Sequence, residues 1–231
     1  MKSVEQQLGL MLHRTRELFV RQRTMLVNSL RGQLSEFGLI APKGVWSIPE
    51  LHALAQGASR AELPDAIRGC VELMMGQIDE LQMRIQGIEK TIRDELRVSD
   101  VGLRLKTIPG ICVITASALT ATIGDIKAFK SVRHLAAWIG LVPRQSGSGD
   151  KVYMKISKKG DAYLRKFLVL GATAVIRYCR SKPELAGWIN ALLQRRPARV
   201  VTVAVASKMA RIAWAIMSPG ESFRQAASVI A

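Results

Sequence analysis

The chain has 231 residues and a formal net charge of +16, with 34 lysines and arginines against 18 aspartates and glutamates. A chain of this length buries a sizeable core without crosslinks, as one large domain or two small ones. The three cysteines, Cys70, Cys112 and Cys179, are far apart and form no CxxC pair. Neither a disulfide framework nor a zinc site is therefore indicated, and a reducing cytosol is the expected compartment.

The sequence predicts no membrane segment. The first thirty residues place four arginines in a polar helical pattern, which is not the pattern of a secretory signal. The most apolar stretch, Val200 to Met217, contains Lys208 and Arg211 well inside its length. We therefore expect it to be a buried helix.

The positive charge is confined to the second part of the chain. Residues 1–100 hold 13 basic and 13 acidic side chains, whereas residues 101–231 hold 21 and 5, so the parts carry net charges of 0 and +16. So many positive charges in one part of the chain repel one another, and nucleic acid is the polyanion that usually neutralises them. A solubilising surface and a basic patch for anionic lipid are the alternatives.

Two long helices are predicted in residues 1–100. The first runs from Val4 to about Phe37, and a connector at residues 41–57 follows it with at most a short helix. The second runs from about Leu63 to Leu96 and carries a heptad seam typical of a coiled coil. The residues of this seam are Ile67, Val71, Met74, Ile78, Leu81, Ile85, Ile88 and Ile92.

The seam is compatible with two pairings. β-branched residues at the a positions, Val71, Ile78, Ile85 and Ile92, favour a parallel two-stranded coiled coil and hence a homo-oligomer through residues 64–97. An antiparallel coiled-coil hairpin with the first helix is the alternative, and the sequence leaves both open.

After Asp100 the sequence changes to short helices separated by glycine, proline and basic loops, so we place a domain boundary between residues 1–100 and 101–231. Helices are predicted at about 113–123, 131–139, 158–180, 184–194 and 198–217, with Ser131 and Ser157 as N-caps. A short strand pair around Val152 to Ile156 is the one indication of a sheet. The expected fold is mainly all-α.

The segment from Leu105 to Leu119 has a helix-hairpin-helix pattern, with a tight turn at Pro109 and Gly110. A small turn lets main-chain amides approach a phosphate, and the next helix adds its positive N-terminal end. Both turn residues are therefore candidate contacts to a DNA backbone. An ordinary helical turn is the alternative.

Basic residues concentrate between Arg144 and Lys182, where ten of them face only Asp150 and Asp161. We expect phosphate contacts because too few acids are present to form salt bridges, although a solvated charged face is the alternative. The candidate DNA-binding side chains are Arg144, Lys151, Lys155, Lys158, Lys159, Arg165 and Lys166.

Within this segment lies a glycine loop, Ser146-Gly-Ser-Gly149, flanked by Arg144 and Lys151. One interpretation is a flexible connector. The other is that a serine hydroxyl attacks a phosphodiester while the cations stabilise the transferring phosphoryl group. A serine needs a base or a metal for this step, and no histidine is close in sequence. His13, His52 and His134 are isolated.

Several motifs resemble the IS110 transposase family. They are Ile108-Pro-Gly-Ile, Ile123-Gly-Asp-Ile with Phe129, His134-Leu-Ala-Ala-Trp-Ile-Gly-Leu-Val-Pro-Arg-Gln145, Ile156-Ser-Lys-Lys-Gly-Asp-Ala-Tyr-Leu-Arg165 and Lys208-Met-Ala-Arg-Ile-Ala-Trp214. The segment from Arg21 to Gly32 resembles the helix that enters that family's coiled coil. The resemblance thus covers nearly the whole chain.

The resemblance implies a DNA transposase directed by a structured guide RNA. In that family an N-terminal RNase-H-like domain supplies four acidic metal ligands, and a C-terminal serine becomes covalently linked to DNA. Counting from Gln145 favours Ser148 as this serine, whereas counting back from Ile156 favours Ser146, and Ser148 is our first choice. Mg²⁺ is expected only with the acidic domain, and no cofactor is expected on this chain itself.

The chain departs from the family's pattern in two ways. It begins where the acidic domain should already have ended, so we do not expect it to cut DNA by itself. Cys112 also stands where the family's hairpin has glycine. The expected function is that of a DNA-binding portion of a transposase, in the bacterial cytoplasm and at the nucleoid, which contributes a serine to a composite active site. The alternative is a truncated, inactive remnant that binds DNA and dimerises.

Overall fold

The computed structural model describes residues 2–58, 63–146, 153–181 and 187–218. These residues are mainly helical, as predicted, and they include one two-stranded hairpin. The chain divides into two compact units, Met1–Leu10 with Ile92–Ala231, and Met11–Thr91. The division at residue 100 into two functional domains stays a prediction.

The unit Met11–Thr91 is built from parts of two long helices and a shorter one between them. The helices are α1 (Val4–Glu36), α2 (Ile48–Gly57) and α3 (Asp65–Arg97), and a 3-10 turn, Val45–Ser47, precedes α2. Leu34, Leu51 and Leu63 are fully buried where the three helices meet. The connector thus contains a helix that packs into the core.

The two long helices run antiparallel within this unit. Arg16 Nη2 lies 2.5 Å from Glu89 Oε1, and Arg23 donates a hydrogen bond to Gln82. Arg23 follows Arg16 along α1, whereas its partner Gln82 precedes Glu89 along α3. The two helices therefore run in opposite directions. The four predicted a positions of α3 are all buried in the single chain. A homo-oligomer through residues 64–97 stays a prediction, and a second copy would have to contact the outward face of α3.

One face of α1 is apolar and exposed. Met11, Leu18 and Met25 recur every seven residues, with exposed fractions of 68%, 49% and 66%. The buried side of the same helix contains His13 as well as apolar residues such as Val27. The apolar spacing therefore correctly predicted a helix but did not identify its buried face.

The other unit contains the helices that follow α3. They are α4 (Asp100–Leu105), α5 (Val113–Thr122), α6 (Val132–Ile139), α7 (Ala162–Ser181), α8 (Gly187–Arg195) and α9 (Ala198–Met217). A helix ending near Leu105 was implied by the turn pattern, but the bounds of the short helix α4 were not predicted. The bounds of α5, α6 and α9 agree with the sequence prediction to within about one residue, which is the usual uncertainty of a helix end.

The two predicted N-caps have different outcomes. Ser131 caps α6, because its side chain accepts a hydrogen bond from His134 N over 3.2 Å. Ser157 does not cap α7. That role belongs to Asp161, whose Oδ1 accepts from Leu164 N over 2.8 Å. Ser157 instead accepts a bond from Lys159 N in the preceding loop.

Helix α9 is the centre of the second unit and packs against α4, α6, α7 and α8. It is long and apolar enough to cross a membrane by length and composition alone. One side of it, including Ala206 and Ala213, is buried in the core, as expected for a buried helix. Lys208 Nζ lies 4.5 Å from the centre of the Trp188 ring, and burial, with a smaller effect of Arg211, lowers the pKa of Lys208.

Candidate nucleic-acid interface

The turn at Pro109 and Gly110 joins α4 to α5. Ile108 and Ile111 on either side are buried, and Ile111 N donates to Ile108 O over 3.0 Å. Pro109 is exposed, and Gly110 has a φ of +84°. The Cys112 side chain makes no cap hydrogen bond to α5. A tight turn thus joins two helices here, and the helix-hairpin-helix motif itself stays a prediction.

The glycine of this turn is required by a neighbouring helix. A Cβ at Gly110 would lie 2.8 Å from Gly171 O, and a Cβ at Gly171 would lie 2.1 Å from Gly110 O. The turn rests main chain against main chain on α7, and no side chain fits between them. This packing explains the glycine without any ligand, so phosphate contact by Pro109 and Gly110 stays a prediction.

The segment with the candidate serines forms the stem of an antiparallel hairpin. Strand β1 (Pro143–Ser146) pairs with β2 (Tyr153–Ile156), in a register that places Arg144 opposite Lys155 and Ser146 opposite Tyr153. The strand predicted around Val152 to Ile156 is present as β2, whereas its partner β1 lies upstream of the segment that was predicted. Ser148 and Lys151 lie outside the described residues.

Two glycines fix the base of this hairpin. Gly140 ends α6 with a φ of +81°, and a Cβ there would lie 2.1 Å from Lys159 O. A Cβ at Gly160 would lie 1.7 Å from Trp138 O. The chain entering β1 and the chain leaving β2 thus touch at the end of α6, where larger residues cannot be accommodated.

Arg165 holds the same two segments together. Its Nη1 donates to Ile139 O over 2.8 Å and to Lys159 O over 3.3 Å. The first bond satisfies a carbonyl at the C-terminal end of α6, where main-chain oxygens lack helical partners. Arg165 was predicted to contact DNA. Its half-buried guanidinium has this internal role, and its contact with phosphate stays a prediction.

The lysines beside the hairpin are exposed. Lys158, which has a φ of +53°, and Lys159 directly follow the stem, and Lys166 lies in the first turns of α7. Asp161 is the nearest acid in sequence, and its carboxylate caps α7. In the described part of the chain, Lys158 and Lys159 have no ion-pair partner. Their charge is available to an external anion.

An aromatic group on the outer side of α6 was not predicted from the sequence. Phe129 makes edge-to-face contacts with His134 and Trp138 at centroid distances of 5.6 and 5.4 Å. His134, which is isolated in the sequence, is thus part of a cluster in the fold. The i, i+4 spacing of His134 and Trp138 on a helix that buries its opposite side was the available signal.

The described residues show no cluster of metal-binding side chains. No three His, Cys, Asp or Glu side chains lie together among them. Asp125 and Asp161 each accept a hydrogen bond from a main-chain amide at the start of a helix. These carboxylates are therefore structural.

Comparison with known proteins identifies relatives along almost the whole chain. The family model for the IS116/IS110/IS902 transposase family matches residues 103–186. A Pseudomonas aeruginosa protein described as a probable family 20 transposase is 42% identical over 226 residues, which are 96% of this chain and 67% of that protein.

Two further relatives are transposases of insertion sequence elements. The transposase for IS1328 of Yersinia enterocolitica is 36% identical over 96% of this chain and 66% of its own length. The transposase for IS1111A of Coxiella burnetii is 34% identical over 96% of this chain and 62% of its own length. The chain thus spans 62% to 67% of the length of these three relatives.

These matches define the class of the molecule, which is that of transposases of insertion sequences. Within that class, the chain belongs to the IS116/IS110/IS902 family, in agreement with the motifs noted in its sequence. Membership of this family supports a role in transposition and implies an interaction with DNA.

Proposed function

We propose that this chain is the DNA-binding C-terminal portion of a transposase and that it contributes a serine nucleophile to a composite active site. Ser148 is the first candidate and Ser146 the second. The supporting observation is the hairpin stem on which this serine loop is carried. The base of the stem is fixed by two main-chain contacts and by Arg165, and exposed lysines follow it directly.

The proposed chemistry exchanges one phosphoester bond for another. The serine Oγ forms a bond to the phosphorus of a DNA phosphodiester, and the bond from that phosphorus to one sugar oxygen breaks. The Oγ proton passes to a base in the acidic part of the composite site, and the released sugar oxygen takes up a proton. Because the bond count is unchanged, the covalent intermediate can be resolved by a second DNA hydroxyl without an external energy source.

The cations beside the hairpin have a defined part in this step. Charge develops on the non-bridging oxygens as phosphorus is attacked, and Lys158 and Lys159 lie where positive charge is not neutralised by neighbouring acids. In this proposal the metal ligands are those of the acidic RNase-H-like domain that the family resemblance implies. A guide RNA that directs the reaction belongs to the same proposal.

A reconstitution experiment tests the serine. The part of the Pseudomonas aeruginosa relative that this chain does not cover is supplied in trans with Mg²⁺, an element-encoded RNA and an end-labelled DNA, and covalent DNA–protein adducts are resolved on a denaturing gel. We expect an adduct with the unaltered chain and none with Ser148→Ala.

Ser146→Ala is the matched control and should retain the adduct. The reverse pattern would assign the nucleophile to Ser146. If duplex DNA binds but no adduct forms with both serines intact, the chain is the inactive DNA-binding remnant.

A further inference from the structure

The outer face of α6 carries exposed rings on a helix whose opposite side is buried. The buried side consists of Leu135, Ala136 and Ile139. One helical turn apart on the other side are His134 and Trp138, both exposed. Trp138 leaves 37% of its surface open to solvent. A tryptophan is on average more deeply buried than this.

Phe129 holds the two exposed rings in place. Its ring is inclined by 67° to that of His134 and by 70° to that of Trp138, at centroid distances within the range of favourable aromatic pairs. Such contacts restrict the rotation of each ring before any ligand arrives. A platform that is already ordered loses little conformational entropy on binding.

Positive charge lies near both ends of α6. Lys127 and Lys130 are exposed on the segment that leads into α6, and Arg133 is exposed in the first turn of α6 itself. At the other end, the loop with Lys158 and Lys159 touches the end of α6 where Gly160 meets Trp138 O. These five cations have no ion-pair partner within the described part of the chain.

We propose that Trp138, supported by Phe129 and His134, is a stacking site for an unpaired nucleobase, and that the surrounding cations bind the phosphates of the same strand. Aromatic rings alternating with basic side chains match the chemistry of a nucleotide, which has a flat π face and an anionic phosphate. In a duplex the faces of the bases are covered by their neighbours, so only the cations would be engaged. The site therefore distinguishes an unpaired strand from a duplex.

This inference rests on the proposed function as a nucleic-acid-binding chain. It adds that the strand bound at this site is unpaired. The source of the strand is either a displaced DNA segment or an RNA. Both offer the same base and phosphate chemistry, and they can be separated by the probe.

Fluorescence anisotropy with the full chain tests the site. The probes are labelled oligothymidylate, oligouridylate, an abasic strand of equal length and a duplex. Replacing Trp138 by alanine should weaken binding of the unpaired base-containing strands about 5- to 150-fold, the range typical of removing one base–aromatic stack. The tighter of oligothymidylate and oligouridylate identifies the source.

The controls separate stacking from a loss of structure. Trp138→Phe retains a ring and should bind within about threefold of the unaltered chain, because stacking on an aromatic ring tolerates a change of ring. Trp46→Ala removes a tryptophan that is 96% exposed in the other unit and should have no effect. Duplex and abasic-strand affinities should not respond to Trp138→Ala.

Two results would overturn the inference. One is an equal decrease of affinity for oligothymidylate, abasic strand and duplex, and the other is no decrease at all. If the duplex still binds with a steep salt dependence in these cases, the proposed function stands and only the stacking site is rejected. If neither duplex nor unpaired strand binds the unaltered chain, both are rejected.

Discussion

His13 lies on the buried side of α1, with only 2% of its surface exposed. Burial, with a smaller effect of the Arg16 guanidinium, lowers the pKa of His13 from 6.5 to about 4. The imidazole is thus neutral in the folded state at physiological pH. It is tolerated in a buried position because no charge has to be desolvated there.

We predict that this histidine makes the stability depend on pH. The folded pKa is below the unfolded value, so the folded state binds fewer protons and loses stability as the pH falls from about 6.5 towards 4. Between about pH 7.5 and pH 5 the free energy of unfolding should decrease by about 2 kcal/mol from this group. Urea unfolding at the two pH values measures the change.

The variant His13→Leu should lack this part of the pH dependence. His52→Leu is the control, since His52 is only half buried beside Glu72 and its replacement should leave the decrease in place. An identical decrease in the His13→Leu variant and in the unaltered chain would contradict the assignment.

At the scale of elements, Arg165 connects α6, the hairpin and α7. We predict that Arg165→Lys lowers the free energy of unfolding by about 1–2 kcal/mol, because the lysine ammonium ends one bond short of the Nη1 atom that donates to both Ile139 O and Lys159 O. Thermal or urea denaturation measures this decrease. The salt dependence of duplex binding should not change, since lysine keeps the charge.

Lys166 is the matched neighbour, exposed on the next position of the same helix. Lys166→Ala should change stability by less than about 0.5 kcal/mol, as most exposed substitutions do. If Arg165→Lys leaves stability intact and reduces DNA affinity, Arg165 is a phosphate ligand and the structural role is wrong.

The elements themselves could largely be predicted from spacing. The heptad seam of α3 predicted its length and its buried positions, since Val71, Ile78, Ile85 and Ile92 are all buried. The apolar repeat of α1 was less informative, because Met11, Leu18 and Met25 are exposed. The buried side of that helix includes Arg16, which is tolerated through its pairing with Glu89, a residue far away in sequence.

The start of α7 was harder to predict, because two nearby residues could each cap the helix. Ser157 and Asp161 are both good N-cap residues. Because Lys158 and Gly160 have positive φ, the helix cannot begin at Ser157. Asp161 caps α7 instead. The bounds of the short helix α4 were missed because six residues that include Gly102 give too little periodicity. Gly102 is nevertheless buried, and its amide donates to Ser99 Oγ.

At the scale of the whole molecule, the net charge of +16 predicts binding that weakens with salt. Each phosphate that a lysine neutralises contributes about 0.9 to the log–log salt slope of duplex binding. Replacing both Lys158 and Lys159 by alanine should therefore reduce that slope by about 1.8. Anisotropy titrations over a series of salt concentrations provide the slope.

Lys43→Ala with Lys90→Ala removes the same charge from the other unit and is the control. That double variant should leave the slope nearly unchanged, because both lysines are exposed outside the basic segment. An equal decrease for the two double variants would indicate that the whole surface, and not the hairpin region, attracts DNA.

The site was only partly predictable. Charge counting found Lys158, Lys159 and Lys166, which are indeed exposed. It did not separate them from Arg165, whose bonds to main-chain carbonyls depend on the fold. The outer face of α6 was not predicted because the ring that orders Trp138 comes from Phe129, outside that helix.

The packing of Gly110 on Gly171 has a consequence for how α7 can move. Two main chains are in contact there with no room for a side chain, so the turn packs against the one position of α7 that lacks a side chain. If α7 moved along its axis by one turn, Phe167 or Val175 would take the place of Gly171, and its side chain would collide with the turn. Helix α7, which follows the hairpin, can therefore pack against the turn at one axial position only. This position of α7 also fixes the base of the hairpin.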